Sequence, residues 1–293
     1  MRFFYLCLMS LLTIIYSTPV ALAQEADPSQ ELVTSQVPNP YLEYNPNSLN
    51  PIPEAHIMFR RRVWKEIYLQ EKQNKPFFAR NKEITKLIIE GAKQGVLTPY
   101  TDESLTTEMT KEQFFENLSL PKEEVLSAEE KALGFTDDAG WGDEKLSAPA
   151  ATEEEYFLPH EVTTLELMED VIFDKVRSKL IHDIQTIKLI IPADKFPTGL
   201  CRVVATFKYK DLAAYFDSKP KEAVWINVKN SAGNIKLTEA FEIKLFGSRI
   251  VKIENPDDAT VDDLYNKTPG EGIMASQQLE EELTELEYFL WEN

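Results

Sequence analysis

Residues Leu200 to Tyr209 alternate: Cys201, Val203, Ala205, Phe207 and Tyr209 fall on one side, and Arg202, Thr206 and Lys208 on the other. Successive side chains of a strand point to opposite faces, so this pattern predicts a strand buried on one side only. Half-buried strands belong to antiparallel sheets, because a parallel sheet is covered on both faces. Lys179 to Ile191, rich in isoleucine and leucine, is expected to pair beside it. Ala223 to Val228 and Ile235 to Leu237 flank a Ser231-Ala232-Gly233-Asn234 turn, which reads as strand, turn and strand. Thr238 is placed to cap a short helix through Phe241 and Leu245, and Arg249 to Ile253 reads as a further strand. The expected fold class is α+β, a mostly antiparallel sheet with flanking helices.

Helical signals surround this sheet. Leu279, Leu283, Leu286 and Leu290 recur at spacings of 4, 3 and 4, which predicts a C-terminal amphipathic helix. Its other face carries Glu280, Glu281, Glu282, Glu285 and Glu287, so it needs to dock its leucine stripe, on its own module as expected or, alternatively, on a neighbouring chain. Nearer the start, Ile84, Leu87, Ile88 and Ala92 form one helical face, with Asn81 as a possible cap and Gly95 as the stop. Between Arg60 and Leu69, helical and strand spacing are not separable.

The expected division is residues 1–23 as signal peptide, 24–54 as an extended proline-rich arm, and 55–101 as an N-terminal helical module. Residues 102–161 read as an acidic, partly disordered insertion, and 162–293 as a C-terminal α+β module ending in the helix. The signal reading rests on Arg2, the apolar run Phe3 to Ile15, the breaker Pro19 and the small-residue site Ala21-Leu22-Ala23. That run is too short to span a bilayer comfortably. Cys7 lies inside it, where a lipid-bearing cysteine would have to follow it, so membrane contact is expected only through partners. The arm holds Pro28, Pro38, Pro40, Pro46, Pro51 and Pro53, each of which removes a donor and favours extended backbone.

The net charge of −18 is unevenly placed. From Asp102 to Glu161 there are 17 acidic residues against 4 basic ones. Phosphate binding needs lysine and arginine to displace counterions, so nucleic acid is excluded as a partner. Within the stretch, Thr110-Lys111-Glu112-Gln113 and Ser127-Ala128-Glu129-Glu130 fit capping boxes, and residues 134–155 read as linker. The whole segment reads as a surface insertion.

No chemistry-bearing pattern emerges. His56, His160 and His182 lie in three regions without ligand spacing, and no nucleophile elbow or phosphate-cradling glycine loop exists. The expectation is a non-enzymatic chain without cofactor or metal. Candidate partner-binding residues are Tyr41 and Tyr44 in the arm and Arg60, Arg61, Arg62 and Trp64. The basic triplet reads either as a solvated, salt-bridged face or as a docking patch. Cys201, the single cysteine left after export, is either a buried small hydrophobe or half of an intermolecular disulfide.

Four blocks resemble the GldN/PorN family. They are Arg61 to Ile67 with its continuation to Tyr100, Glu169 to Ser178, Phe241 to Asn255, and Leu279 to Trp291. The acidic insertion and the stretch from Leu200 to Pro220 depart from the pattern. The resemblance implies a structural subunit of a periplasmic ring in the type IX secretion and gliding-motility machinery. It further implies self-association, a GldK/PorK-like outer-membrane lipoprotein partner, and contact with the periplasmic domains of a GldM/PorM-like motor protein. A periplasmic cell-wall-associated binding protein or hydrolase is the competing reading.

Overall fold

The computed structural model describes residues 43–120, 156–265 and 270–292. The signal segment, most of the arm including Tyr41, the Ser127 capping box and the 134–155 linker lie outside the described residues.

Five strands form one antiparallel sheet: β1 (Ile57–Tyr68), β4 (Thr164–Asp174), β5 (Lys179–Ile191), β6 (Arg202–Lys208) and β9 (Arg249–Ile253), in the order β6-β5-β4-β1-β9. Two small hairpins accompany it, β2 (Phe78–Ala79) with β3 (Lys82–Glu83), and β7 (Val224–Trp225) with β8 (Ile235–Lys236). The helices are α1 (Ile84–Gln94), α2 (Lys111–Leu118), α3 (Tyr209–Ser218), α4 (Leu237–Glu242), α5 (Val261–Leu264) and α6 (Glu271–Glu292). An α+β fold with an antiparallel sheet and a long C-terminal helix is what the residue patterns predict.

Strand β1 requires a correction. The stretch expected to open a separate helical module is a central strand, paired along its length with β4 and at Val63–Glu66 with β9. Its β-branched and aromatic side chains suit a pleated surface better than a helix. The sheet therefore joins the expected first and last modules. Other local signals hold. Gly95 ends α1 in the left-handed region at φ 75°, where a Cβ is disfavoured. Thr110 and Gln113 form the reciprocal capping box of α2. Asn81, by contrast, does not cap α1; it sits at φ 65° in the turn between β2 and β3. Thr238 lies inside α4, whose cap position is Lys236.

One sheet face carries two hydrophobic clusters. The larger lies under α1 to α4 and includes Ile67, Leu165, Ile187, Phe207, Phe216 and Phe241. Its aromatics interlock, with Phe241 ring centroids 5.2 Å from Phe77, 5.6 Å from Phe246 and 5.9 Å from Tyr209. The acidic segment contributes to it: Met109, Phe114, Leu118 and Phe157 are buried there. The two described ends of the expected surface insertion are therefore structural. The smaller cluster gathers Val63, Val171, Ile250, Ile253 and Val261 under Ala275 and Leu283 of α6. The predicted leucine stripe does dock at Leu283, with Leu279 packed against the cluster.

In β6 the alternation breaks. A register shift opposite Leu189/Ile190 places Val204 as an extra residue, so Val203 faces outward while Val204 and Ala205 are both buried. Cys201 precedes the strand and is exposed, which removes the buried-hydrophobe reading.

Candidate partner-binding face and the charged seam behind it

The other face of the sheet is polar. Alternation along β1 puts Arg60, Arg62, Trp64 and Glu66 on this face and Arg61, Val63, Lys65 and Ile67 on the helix-covered one. Two chain segments lie over it. The first is the end of the arm: Asn45 Nδ2 donates to Gln185 Oε1 at 2.8 Å, Ser48 and Ile52 are buried, and Tyr44 forms a bridge with Pro53. Tyr44 itself is 57% exposed. The second follows Tyr100, which bridges Thr206 on β6 and carries Glu103 inward.

Trp64 is the centre of this face. It is only 8% exposed, its Nε1–H donates to Glu103 Oε2 at 2.7 Å, and Lys252 Nζ sits 4.1 Å from its ring centroid. A desolvated ammonium over an indole is an attractive cation–π contact. Lys188 bonds both Glu103 and Glu166, and Lys252 pairs with Asp258. Burial works against the charges of Glu103 and Lys188, yet their mutual bonding lowers the Glu103 pKa and raises that of Lys188. A cleft of about 540 Å3 opens here, lined by Trp64, Arg62, Glu103, Met168, Lys188 and Lys252 among others.

The basic triplet is thus divided. Arg62 grips Asp170 with two bonds, Nε to Oδ1 at 2.7 Å and a terminal nitrogen to Oδ2 at 3.1 Å. Arg60 pairs with Glu54 at 2.6 Å in an exposed setting. Arg61 points to the opposite face and forms no ion pair among the described residues. Of the named candidates, the fold brings together Arg60, Arg62 and Trp64; Tyr44 belongs to the overlying arm and Cys201 precedes an edge strand. Glu103, Lys188 and Lys252 were not singled out from the sequence. The available signal was Lys188, a charge inside the apolar run Ile187 to Ile191.

On the helix-covered face, a charged seam separates the two hydrophobic clusters. Glu169 on β4 is fully buried and meets Lys65 Nζ at 2.8 Å, His182 Nδ1 at 3.0 Å and Lys244 Nζ at 4.0 Å. Burial alone would push its carboxyl up, but the His182 bond and the two ammonium groups hold it well below the usual range. Burial lowers His182, against the pull of Glu169, so the neutral ring with its proton on Nδ1 donates to the carboxylate. Burial likewise pushes Lys244 down to about 8. Among the described residues no group of His, Cys, Asp or Glu is arranged to hold a metal ion.

The blocks quoted for the resemblance meet at this seam. Lys65 comes from the first, Glu169 from the second and Lys244 from the third, while Glu280 and Glu287 of the fourth lie near enough to act on the Lys244 charge. Blocks one and two are neighbouring strands in register, Arg62 opposite Asp170 and Val63 opposite Glu169. No curated protein matches the chain. A family model described as gliding motility associated protein GldN matches residues 52–292, from just before β1 to the end of α6. The chain belongs to the GldN family, components of the gliding-motility and type IX secretion machinery.

Proposed function

We propose that this chain is a non-enzymatic structural subunit of a periplasmic ring in that machinery. It binds an outer-membrane lipoprotein of the GldK/PorK type and the periplasmic domains of a GldM/PorM-type motor protein, and it self-associates around the ring. The observation that carries this reading is the family match over residues 52–292. The signal-like opening of the sequence supports delivery to the periplasm, where the lipoprotein partner supplies association with the outer membrane. No described helix is long and apolar enough to cross a membrane.

Partner contact falls on the polar sheet face. Arg60 and Tyr44 are its accessible members, while Arg62 and Trp64 hold its shape through Asp170, Glu103 and Lys252. Tyr41 and the arm that precedes the described residues extend this contact to a neighbouring subunit. The exposed Cys201 thiol is accessible for an intermolecular disulfide.

The test is purification of the chain from native envelopes under mild detergent. A high-mass particle retaining a lipoprotein is expected, and loss of Gln24 to Glu54 weakens that particle without unfolding the chain. A monodisperse monomer with no partner retained overturns the reading.

A further inference from the structure

Strand β6 runs beside only the second half of β5. Its ladder begins at Thr186 opposite Lys208 and ends at Ile191 opposite Arg202, after which Lys208 leads directly into α3. The first half of β5, Lys179 to Gln185, is held by β4 on its inner side. On its outer side no strand pairs with it among the described residues. An unpaired strand edge presents a row of N–H and C=O groups, which is a template for one more strand.

A groove of about 650 Å3 runs along this edge. One wall is six consecutive β5 residues, Lys179 to Ile184; the other is formed by Leu49 to Pro51 and by Phe241 to Lys244. A slot that follows a bare edge residue by residue fits an extended peptide, not a compact ligand. Side chains of Leu180, His182 and Ile184 share the sheet face that carries Glu169, since they stand opposite Phe173, Val171 and Glu169 in register. An added strand would lay every second residue over that side, against Ile243, which is 61% exposed.

Charge selects the kind of peptide. Arg177, Lys179 and Lys244 bring positive charge to the groove, beside the neutral His182 ring and against Asp183 and Glu242. Asp183 is already engaged by Gln185 Nε2 at 2.6 Å, whereas the Lys244 ion pair with Glu169 is stretched to 4.0 Å. With Arg177 paired to Asp174, two cations, Lys179 and Lys244, face one further carboxylate, Glu242, and leave the groove with capacity for an acidic partner.

We propose that the outer edge of β5, Lys179 to Gln185, is a docking site for an extended segment of a partner protein in which apolar and acidic residues alternate. The segment adds to the sheet as an outer strand: main-chain hydrogen bonds hold it, an apolar side chain covers Ile243, and a carboxylate reaches Lys244. This goes beyond the ring assignment and is decided independently of it.

The experiment is hydrogen exchange of the full chain, read by mass spectrometry, with a short peptide of alternating valine and glutamate as probe. Saturating peptide is expected to slow exchange at Lys179 to Gln185 by about tenfold or more, as for amides newly taken into a ladder. Ile243→Asp, at an exposed position, and Lys244→Glu each weaken binding by about tenfold. A peptide with alternate amides N-methylated, or with lysine for glutamate, binds far less. No binding at millimolar peptide, protection elsewhere than β5, or equal binding of the N-methylated control overturns the proposal. Protection of β5 that rises with protein concentration alone also overturns it, by assigning the edge to a second copy.

Discussion

The two hydrophobic clusters on one face of the sheet are built by different rules. Under α1 to α4 the cluster is large, aromatic and continuous, and Phe77, Tyr209 and Phe246 all pack against Phe241. Under α6 it is small and aliphatic, and Leu283 is the one leucine of the stripe that is buried. Tyr288 and Trp291, in the last turns of the same helix, are largely exposed. The lesson is that α6 is secured by a few contacts between Ala275 and Leu283, while α1 to α4 close over a core that tolerates little loss. The Glu169 seam lies between them and ties strands β1, β4 and β5 to the segment after α4.

Denaturant unfolding of variants is expected to sharpen that contrast. Phe241→Ala empties the centre of the aromatic cluster and is expected to cost about 3–5 kcal/mol in denaturant unfolding. A loss under ~1 kcal/mol would mean that the neighbouring rings collapse into the space. Glu169→Gln leaves Lys65 and Lys244 without their buried counter-charge, and the expected cost is about 3 kcal/mol, as for a broken buried pair. Leu283→Ala removes the main anchor of α6 and is expected to cost about 2–3 kcal/mol, near the low end for buried leucine because the cluster is small. Equal losses for Leu283→Ala and Phe241→Ala would break the comparison between the two clusters.

The seam also has a pH signature. Burial holds the folded His182 pKa below its ordinary value, while the unfolded ring titrates near about 6.5. As pH falls through the unfolded value the unfolded chain gains a proton that the folded chain refuses, so this contribution is complete above the unfolded pKa and is lost as pH falls toward the folded one. Thermal melts from neutral to mildly acid pH should show this fall, and His182→Gln should flatten it. The smallest effect belongs to the polar face: Arg60→Ala breaks only an exposed pair and should change stability by no more than about 0.5 kcal/mol. If partner retention falls while the melt is unchanged, Arg60 acts in binding and not in the fold.

Periodicity made much of the architecture legible. The stop at Gly95, the Thr110 capping box, the hairpin around Ser231 to Asn234, strands at Lys179 to Ile191 and Arg249 to Ile253, and the terminal helix follow from local rules. The misreadings share a cause. Arg60 to Leu69 has an ambiguous period, and only pairing with β4 and β9 makes it a strand. The inward face of β6 changes at a bulge, which depends on how two strands meet. The acidic segment reads as surface from its charge, yet Phe114 and Leu118 are buried. Within the candidate face, Trp64 was visible as an aromatic beside arginines. Its partners Glu103 and Lys252 were not, because they arrive from distant parts of the chain.

What the sequence alone determined is local: the period of each segment, its caps and turns, the concentration of negative charge, and an order of blocks specific to one family. Those properties depend on neighbours a few residues away. Tertiary structure decided which charges are spent and which remain. Arg62 is committed to Asp170 and Lys188 to Glu103 and Glu166, while the edge of β5 stays open because β6 turns away after Lys208. Pairing of charges and of strand edges is a matter of distance in space, and separation along the chain carries almost no record of it.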